Sequence, residues 1–174
     1  MTEFKKHIET NKKAWNKRTP IHIKSKFYNN EEFKKGKGSL KPIELNAIGD
    51  VKGKSLLHLQ CPFGQDSISF ARMGAKVTGV DFSDAAINEA KRIAAEMNMY
   101  VNFMESNVLD LKLNKEFDII FSSYGAIGWL PDLDKWASTI ATHLKKGGVF
   151  LLTEFHPFLD LIKDNGYDYF YNPK

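Results

Sequence analysis

From residue 54 onward the sequence keeps one rhythm: a short apolar run, a turn, an amphipathic stretch of helical spacing, then another short apolar run. Segments 55–59, 76–80, 100–104, 117–121 and 149–155 read as strands, and 65–73, 84–97 and 131–144 as helices. In the second helix Ala86, Ile87, Ala90, Ile93 and Ala94 fall on one side, which is the face a packed helix buries. Gly74 suits the C-terminal cap of the first helix, Ser83 the N-cap of the second, and Asn98 its left-handed end. Parallel strands need a crossover between neighbours, so strands alternating with helices predict an α/β fold with a mainly parallel sheet and helices on both faces. Right-handed crossovers leave few topologies for that pattern.

The first 50 residues lack the rhythm. Segment 3–18 reads as a helix with Phe4, Ile8 and Trp15 as its apolar positions, stopped at Pro20. Segment 21–28 reads as extended or loop-like, and Gly36 and Gly38 break the chain. Ser39 can cap a short helix through Ile48, with Pro42 in its first turn and Gly49 after its end. Charge is concentrated here: residues 1–41 carry 12 basic and 4 acidic side chains, against 13 and 17 in the remainder. The lysines are spaced as on a solvated helix face, and no RNA-binding signature of stacked aromatics accompanies them, so a nucleic-acid partner is the weaker reading. At 174 residues the chain has room for one domain. Its single cysteine excludes an internal disulfide, no Cys/His group has zinc spacing, and no apolar run approaches the roughly 18 residues of a membrane span. A cytoplasmic location without membrane contact or bound metal is the expectation.

Open α/β sheets bind ligands beyond the carboxyl ends of their strands. Four segments end there: 60–65, 80–83, 106–108 and 122–128. Gly64 lets backbone approach a ligand, and the helix after it offers unpaired N–H groups at a positive dipole end. Asp81 can accept both hydroxyls of a ribose, or cap the next helix, and Phe82 offers a face to a base. The Asn107 side-chain oxygen can accept from an exocyclic amine while the Val108 N–H donates to a ring nitrogen; Asn107 also suits a plain turn.

Leu56-Leu57-His58-Leu59-Gln60-Cys61-Pro62-Phe63-Gly64 and Val77-Thr78-Gly79-Val80-Asp81-Phe82-Ser83 resemble the first two motifs of class I S-adenosylmethionine-dependent methyltransferases. Phe117-Asp118-Ile119-Ile120 resembles their fourth strand, and Leu144-Lys145-Lys146-Gly147-Gly148-Val149-Phe150 the approach to their fifth. The resemblance spans residues 52–156. It implies a Rossmann-like, doubly wound sheet of order 3-2-1-4-5, with S-adenosylmethionine as cofactor and methyl transfer to a small-molecule acceptor. It divides the chain into an N-terminal helical cap over the cofactor mouth (1–50), a cofactor-binding α/β core (51–156) and a C-terminal tail (157–174). Gln60, Cys61, Gly64, Gln65, Asp81, Phe82, Ser83, Asn107, Val108 and Ser123 are the implied cofactor contacts. The turn 60–65 takes the methionine moiety, helped by Ser123 and Tyr124, and Asp81 takes the ribose. His156, just past the fifth strand, is the candidate general base, with Tyr124 and Glu154 as alternatives; Trp15, His22 and Tyr28 face the acceptor or pack the cap.

The sequence departs from the family pattern in three places. His58 stands where an acidic residue is usual, Gln60 and Pro62 stand in place of glycines, and Asn107 replaces the commoner Asp. The antiparallel strand pair that completes the family's sheet has no counterpart in the 19 residues after Phe155. The fifth strand is then an exposed apolar edge, covered by 167–171 or by a second copy in a homodimer. Two other readings stand beside this one. A degenerate domain that binds without catalysis fits the altered turn, and a nicotinamide-dependent oxidoreductase fits Asp81 but lacks G-x-G-x-x-G. Thiol chemistry at Cys61 lacks a paired base, which leaves it a small buried residue.

Overall fold

The computed structural model describes residues 3–156, 162–163 and 166–167. Five strands, β1 (Ser55–Leu59), β2 (Lys76–Asp81), β3 (Asn102–Glu105), β4 (Phe117–Ser123) and β5 (Leu144–Thr153), form one sheet of order β3-β2-β1-β4-β5. Every neighbouring pair in it is parallel. The helices α4 (Gln65–Arg72), α5 (Asp84–Glu96) and α6 (Leu133–His143) make three of the four connections, and residues 106–116 join β3 to β4 without a helix. This is the Rossmann-like arrangement that the strand–helix rhythm requires.

All five residues of β1 are buried, so its side chains feed two cores alternately. Leu56 packs with Phe70, Val77, Ile119 and Phe121 on the side of α4, whereas Leu57 and Leu59 join Val80, Ile120, Trp136 and Ile140 on the side of α6. His58 shares the first side, with its ring centroid 4.9 Å from that of Phe121. A third cluster sets Ile68 of α4 and the apolar face of α5 against Phe103 of β3.

Several boundaries differ from expectation. Helix α1 runs Glu3–Ile23, straight through Pro20. Proline forfeits one hydrogen bond so near a helix end, and the last turn is held by packing instead: the His22 ring lies 5.7 Å from Trp15 and 6.5 Å from Phe63. Helix α2 (Asn30–Lys34) falls in a stretch with no clear sequence period, after Asn29 in the left-handed conformation. Helix α3 (Pro42–Ile48) starts from Lys41, whose N–H donates to Glu44 Oε2 at 2.6 Å, while Ser39 pairs with the Ser69 hydroxyl at 2.9 Å rather than capping. Strand β5 begins five residues early, because a register shift opposite Phe117–Ile119 absorbs Lys145–Gly148 with Gly147 at φ 78°.

β5 is the sheet's outer strand, and Val149 on it is 46% exposed. A separate two-stranded pair, β6 (Ile162–Lys163) and β7 (Gly166–Tyr167), is antiparallel and forms its own sheet. The covering role considered for 167–171 lies outside the described residues, apart from the backbone of Tyr167. Among the described residues no helix is long and apolar enough to cross a membrane.

Candidate functional site

Gln60 after β1, Asp81 at the end of β2, Asn107 and Val108 after β3, and Ser123 at the end of β4 meet at the carboxyl edge of the sheet. With Phe82 they line a crevice of about 70 Å³. Its outer wall comes from Ile8 and Trp15 of α1 and from Trp129 and Leu130 after β4. α1 is fastened there by several bonds. The Ser83 hydroxyl donates to Asn16 Oδ1 at 2.6 Å, Asn16 Nδ2 donates to Asp84 at 2.8 Å, and Lys12 pairs with Glu105 at 2.5 Å.

Asp81 is 5% exposed, and its Oδ1 accepts the Ser83 N–H at 2.8 Å. Burial pushes its carboxyl up to about 7, against the pull of the Ser83 and Phe82 N–H groups, and no cation pairs with it among the described residues. Asn107 closes its own turn, with Oδ1 accepting the Leu109 N–H at 3.1 Å and Nδ2 donating to Asp110 at 3.0 Å. Gln60 sits at φ 56°, and its Nε2 donates to the Ala126 carbonyl at 2.8 Å. It thereby ties the first turn to the loop after β4.

The other expected contacts lie outside this crevice: Cys61, Gly64 and Gln65 line a second cavity beside it, and Ser83 lines neither. Ser83 is fully buried and spends its hydroxyl on Ala86 N–H and Asn16, so it caps α5 and holds α1 without lining either cavity described here. A Cβ on Gly64 would stand 2.3 Å from Phe103 Cζ, so the glycine and its φ of 73° answer to β3 in the core, and the residue also lines the larger cavity. Cys61 is 2% exposed within the cluster around Phe103, and burial drives its thiol well above the ordinary range. Gln65 donates to the Tyr28 carbonyl and to Asn30 Oδ1, fastening the N-terminal segment to α4.

The groups expected to take a proton are occupied or set apart. Tyr124 donates its hydroxyl to Glu44, Lys41 Nζ lies 4.1 Å over its ring, and burial with the nearby carboxylate raises its pKa. Glu154 accepts the N–H groups of Gly125, Ile127 and Phe155, pinning the loop after β4. His156 is exposed beyond β5 and outside the walls of both cavities.

The second cavity holds about 390 Å³, the size of an ordinary ligand pocket, and adjoins the crevice through Tyr28, Pro62, Ser123 and Tyr124, which line both. Its walls add His58, Asp66, Ser39 and Lys41. His58 is 1% exposed; its Nδ1 meets the Ser67 hydroxyl at 2.8 Å, its Nε2 has no partner, and burial lowers its pKa to about 3. Asp66 accepts the Ser123 hydroxyl at 3.1 Å, and desolvation raises its pKa against the pull of Ser39 and Ser123. Sequence reasoning missed Asp66, because an acid in the first turn of a helix reads as ordinary dipole complementation. Asn16 and Glu44 carried no signal at all.

The sheet order and the crevice at its carboxyl edge define a doubly wound α/β domain with its ligand face at the strand ends. A family model described as a methyltransferase domain matches residues 56–148, and the chain belongs to that family. It is 32% identical over 113 residues to the ubiquinone biosynthesis O-methyltransferase of Coxiella burnetii (strain Dugway 5J108-111), covering 63% of this chain and 48% of that protein. The chain thus spans about half the length of the curated relatives it matches. An S-adenosylmethionine-dependent methyltransferase structure from Clostridium acetobutylicum shares 21% identity at a TM-score of 0.57, over 82% of this chain and 56% of its own. The glycopeptide N-methyltransferase MtfA, solved with sinefungin, shares 22% at a TM-score of 0.57, over 63% and 50%. At those identities the two structures establish the fold.

Proposed function

We propose that the protein is a cytoplasmic S-adenosylmethionine-dependent methyltransferase acting on a small-molecule acceptor. The observation that carries the reading is Asp81: a buried carboxylate, unpaired by any cation among the described residues, on the wall of the crevice where β1, β2, β3 and β4 end. The donor set fits an adenosyl group, with Asp81 for a ribose diol, Phe82 for the face of a base, and Asn107 and Val108 for its edge. Family membership supports the same reading. So does the C. burnetii relative, named for O-methylation in ubiquinone biosynthesis.

When bound, S-adenosylmethionine supplies a methyl group already activated on a sulfonium. The chain's work is then to grip, align and exclude water. Asp81 holds the sugar, and Gln60 fixes the first turn against the loop after β4. Trp15 and Trp129, 5.6 Å apart, close the outer side. A crevice of about 70 Å³ is smaller than a nucleoside, so residues 1–50 act as a cap whose α1 side gives way to admit one. Alignment carries the methyl transfer in this reading: of the expected bases, the Tyr124 hydroxyl is committed to Glu44 and His156 stands outside the walls of both cavities. The outer edge of β5 supports pairing with a second copy; sedimentation that shows a clean monomer at every concentration contradicts that pairing.

Titration calorimetry tests the reading. S-adenosylmethionine and S-adenosylhomocysteine bind saturably and NADH does not; binding of NADH alone overturns it. A labelled-methyl assay over small molecules, protein and RNA then identifies the acceptor.

A further inference from the structure

We propose that the cap side of the larger cavity selects the acceptor, that the acceptor is a flat aromatic small molecule bearing an anionic group, and that Lys26 and Lys37 read its charge. The inference rests on the reading of the protein as an S-adenosylmethionine-dependent methyltransferase. It starts from the part of the wall that residues 26–41 contribute: Lys26, Phe27, Lys37 and Lys41 are exposed, and all four line the cavity. Three lysines there face one acid, Asp66. Lys41 is already drawn to that acid. Neither Lys26 nor Lys37 has an ion pair among the described residues, and His58 on the same wall is buried and neutral. Two cations on the wall of one cavity of about 390 Å³ are thus left without a counter-charge, and their field draws anions and repels cations.

The rings select the rest of the molecule. Phe27, Tyr28, Phe33, Phe63, Tyr124 and Phe155 line the same cavity. Phe27 is 77% exposed; its ring stands edge-on to Tyr28 at 5.0 Å, and Tyr28 stands edge-on to Phe63 at 4.6 Å. An aromatic ring left in water on a cavity wall is apolar surface that a flat ligand covers favourably, and stacking adds to the gain. Position fits an acceptor as well. Ser123 and Tyr124 line both this cavity and the crevice of Asp81, so a molecule in one adjoins a molecule in the other. Exposed lysines are also ordinary solvated surface, so the test must read charge and ring separately.

Calorimetry of the full chain at low salt does so, with 2-naphthoate, 2-naphthyl phosphate, the neutral 2-naphthamide and the cationic 2-naphthylmethylammonium as probes. Both anions bind at least about 10-fold more tightly than the amide, the ammonium binds weakest, and the tighter anion names the group; added salt narrows the gap. Decalin-2-carboxylate, which keeps the charge and loses the flat ring, binds more weakly than 2-naphthoate by about 5-fold. Lys26→Gln combined with Lys37→Gln weakens both anions about 5- to 20-fold, the range of two exposed charge pairs, and leaves the amide and S-adenosylhomocysteine within about 2-fold. The probe series on the unaltered chain stands independently of that variant. An amide that matches the anions, a double variant that holds them as tightly as the unaltered chain, or a decalin carboxylate equal to 2-naphthoate overturns the inference, while binding of S-adenosylhomocysteine preserves the methyltransferase reading. Failure of S-adenosylhomocysteine to bind sinks that reading and the acceptor role with it.

Discussion

Replacing Asp81 by Asn should stabilise the fold and weaken the ligand site at once. The Asp81 carboxyl titrates at about 7 in the folded chain against an ordinary value of 3.8. The folded state therefore holds its proton more tightly than the unfolded state, and ionisation costs stability as pH rises from 3.8 to about 7. At about 1.4 kcal/mol per pH unit, the penalty is about 2 kcal/mol at pH 5 and about 4 kcal/mol above pH 7. Asn removes the charge and keeps an oxygen for the Ser83 N–H. Urea unfolding followed by tryptophan fluorescence, run on both proteins from pH 5 to 8, should show the variant's advantage growing by about 2 kcal/mol across that range, with a melting temperature raised by about 10 °C at pH 8. The difference between the proteins is the quantity to read, because buried His58 gives the wild type an opposite slope. Parallel curves for the two proteins would refute the burial argument.

His58 is neutral when folded, with a pKa of about 3 against 6.5, so its contribution is present above 6.5 and is lost as pH falls. Wild type should lose about 2 kcal/mol from this source between pH 7 and 5, and His58→Leu should not, at the cost of about 1 kcal/mol for the stranded Ser67 hydroxyl; chemical denaturation at the two pH values decides. Gly64→Ala sets a Cβ against the Phe103 ring in a left-handed conformation, and should destabilise by about 2–4 kcal/mol in the same assay. A loss below 0.5 kcal/mol would mean that the turn can move off β3. Asn16→Ala removes that residue's two bonds to the start of α5, leaving only the exposed Lys12–Asp84 pair there, and should speed amide exchange in α1 with little change in β1 or β2. Uniform exchange across the chain would show that α1 is not separately latched.

The sheet was legible in the sequence because its central strands are buried: all of β1 and most of β2 and β4. The apolar run 55–59 has no polar face to confuse its period, and β1 occupies those five residues. The N-terminal third resisted reading because tertiary contacts, and not local period, decide it. His22 against Trp15 and Phe63 carries α1 past Pro20, and Gln65 ties down the segment around α2 from 35 positions away. The site divides the same way. Position along the chain brings Gln60, Asp81, Asn107 and Val108 to one edge, since each follows or ends a parallel strand. Orientation is invisible to a linear pattern. Ser83 turns to α1 although it lies in an expected turn, while Gly64 and Cys61 pack against the core side of the turn and also line the larger cavity.

The most direct test of the account is a crystal structure of the protein grown with S-adenosylhomocysteine. The prediction is that both ribose hydroxyls lie about 2.7 Å from the carboxylate oxygens of Asp81, with the adenine beside Phe82 and Val108 and α1 displaced outward. A nucleoside bound elsewhere, or one in the crevice that makes no contact with Asp81, would contradict it.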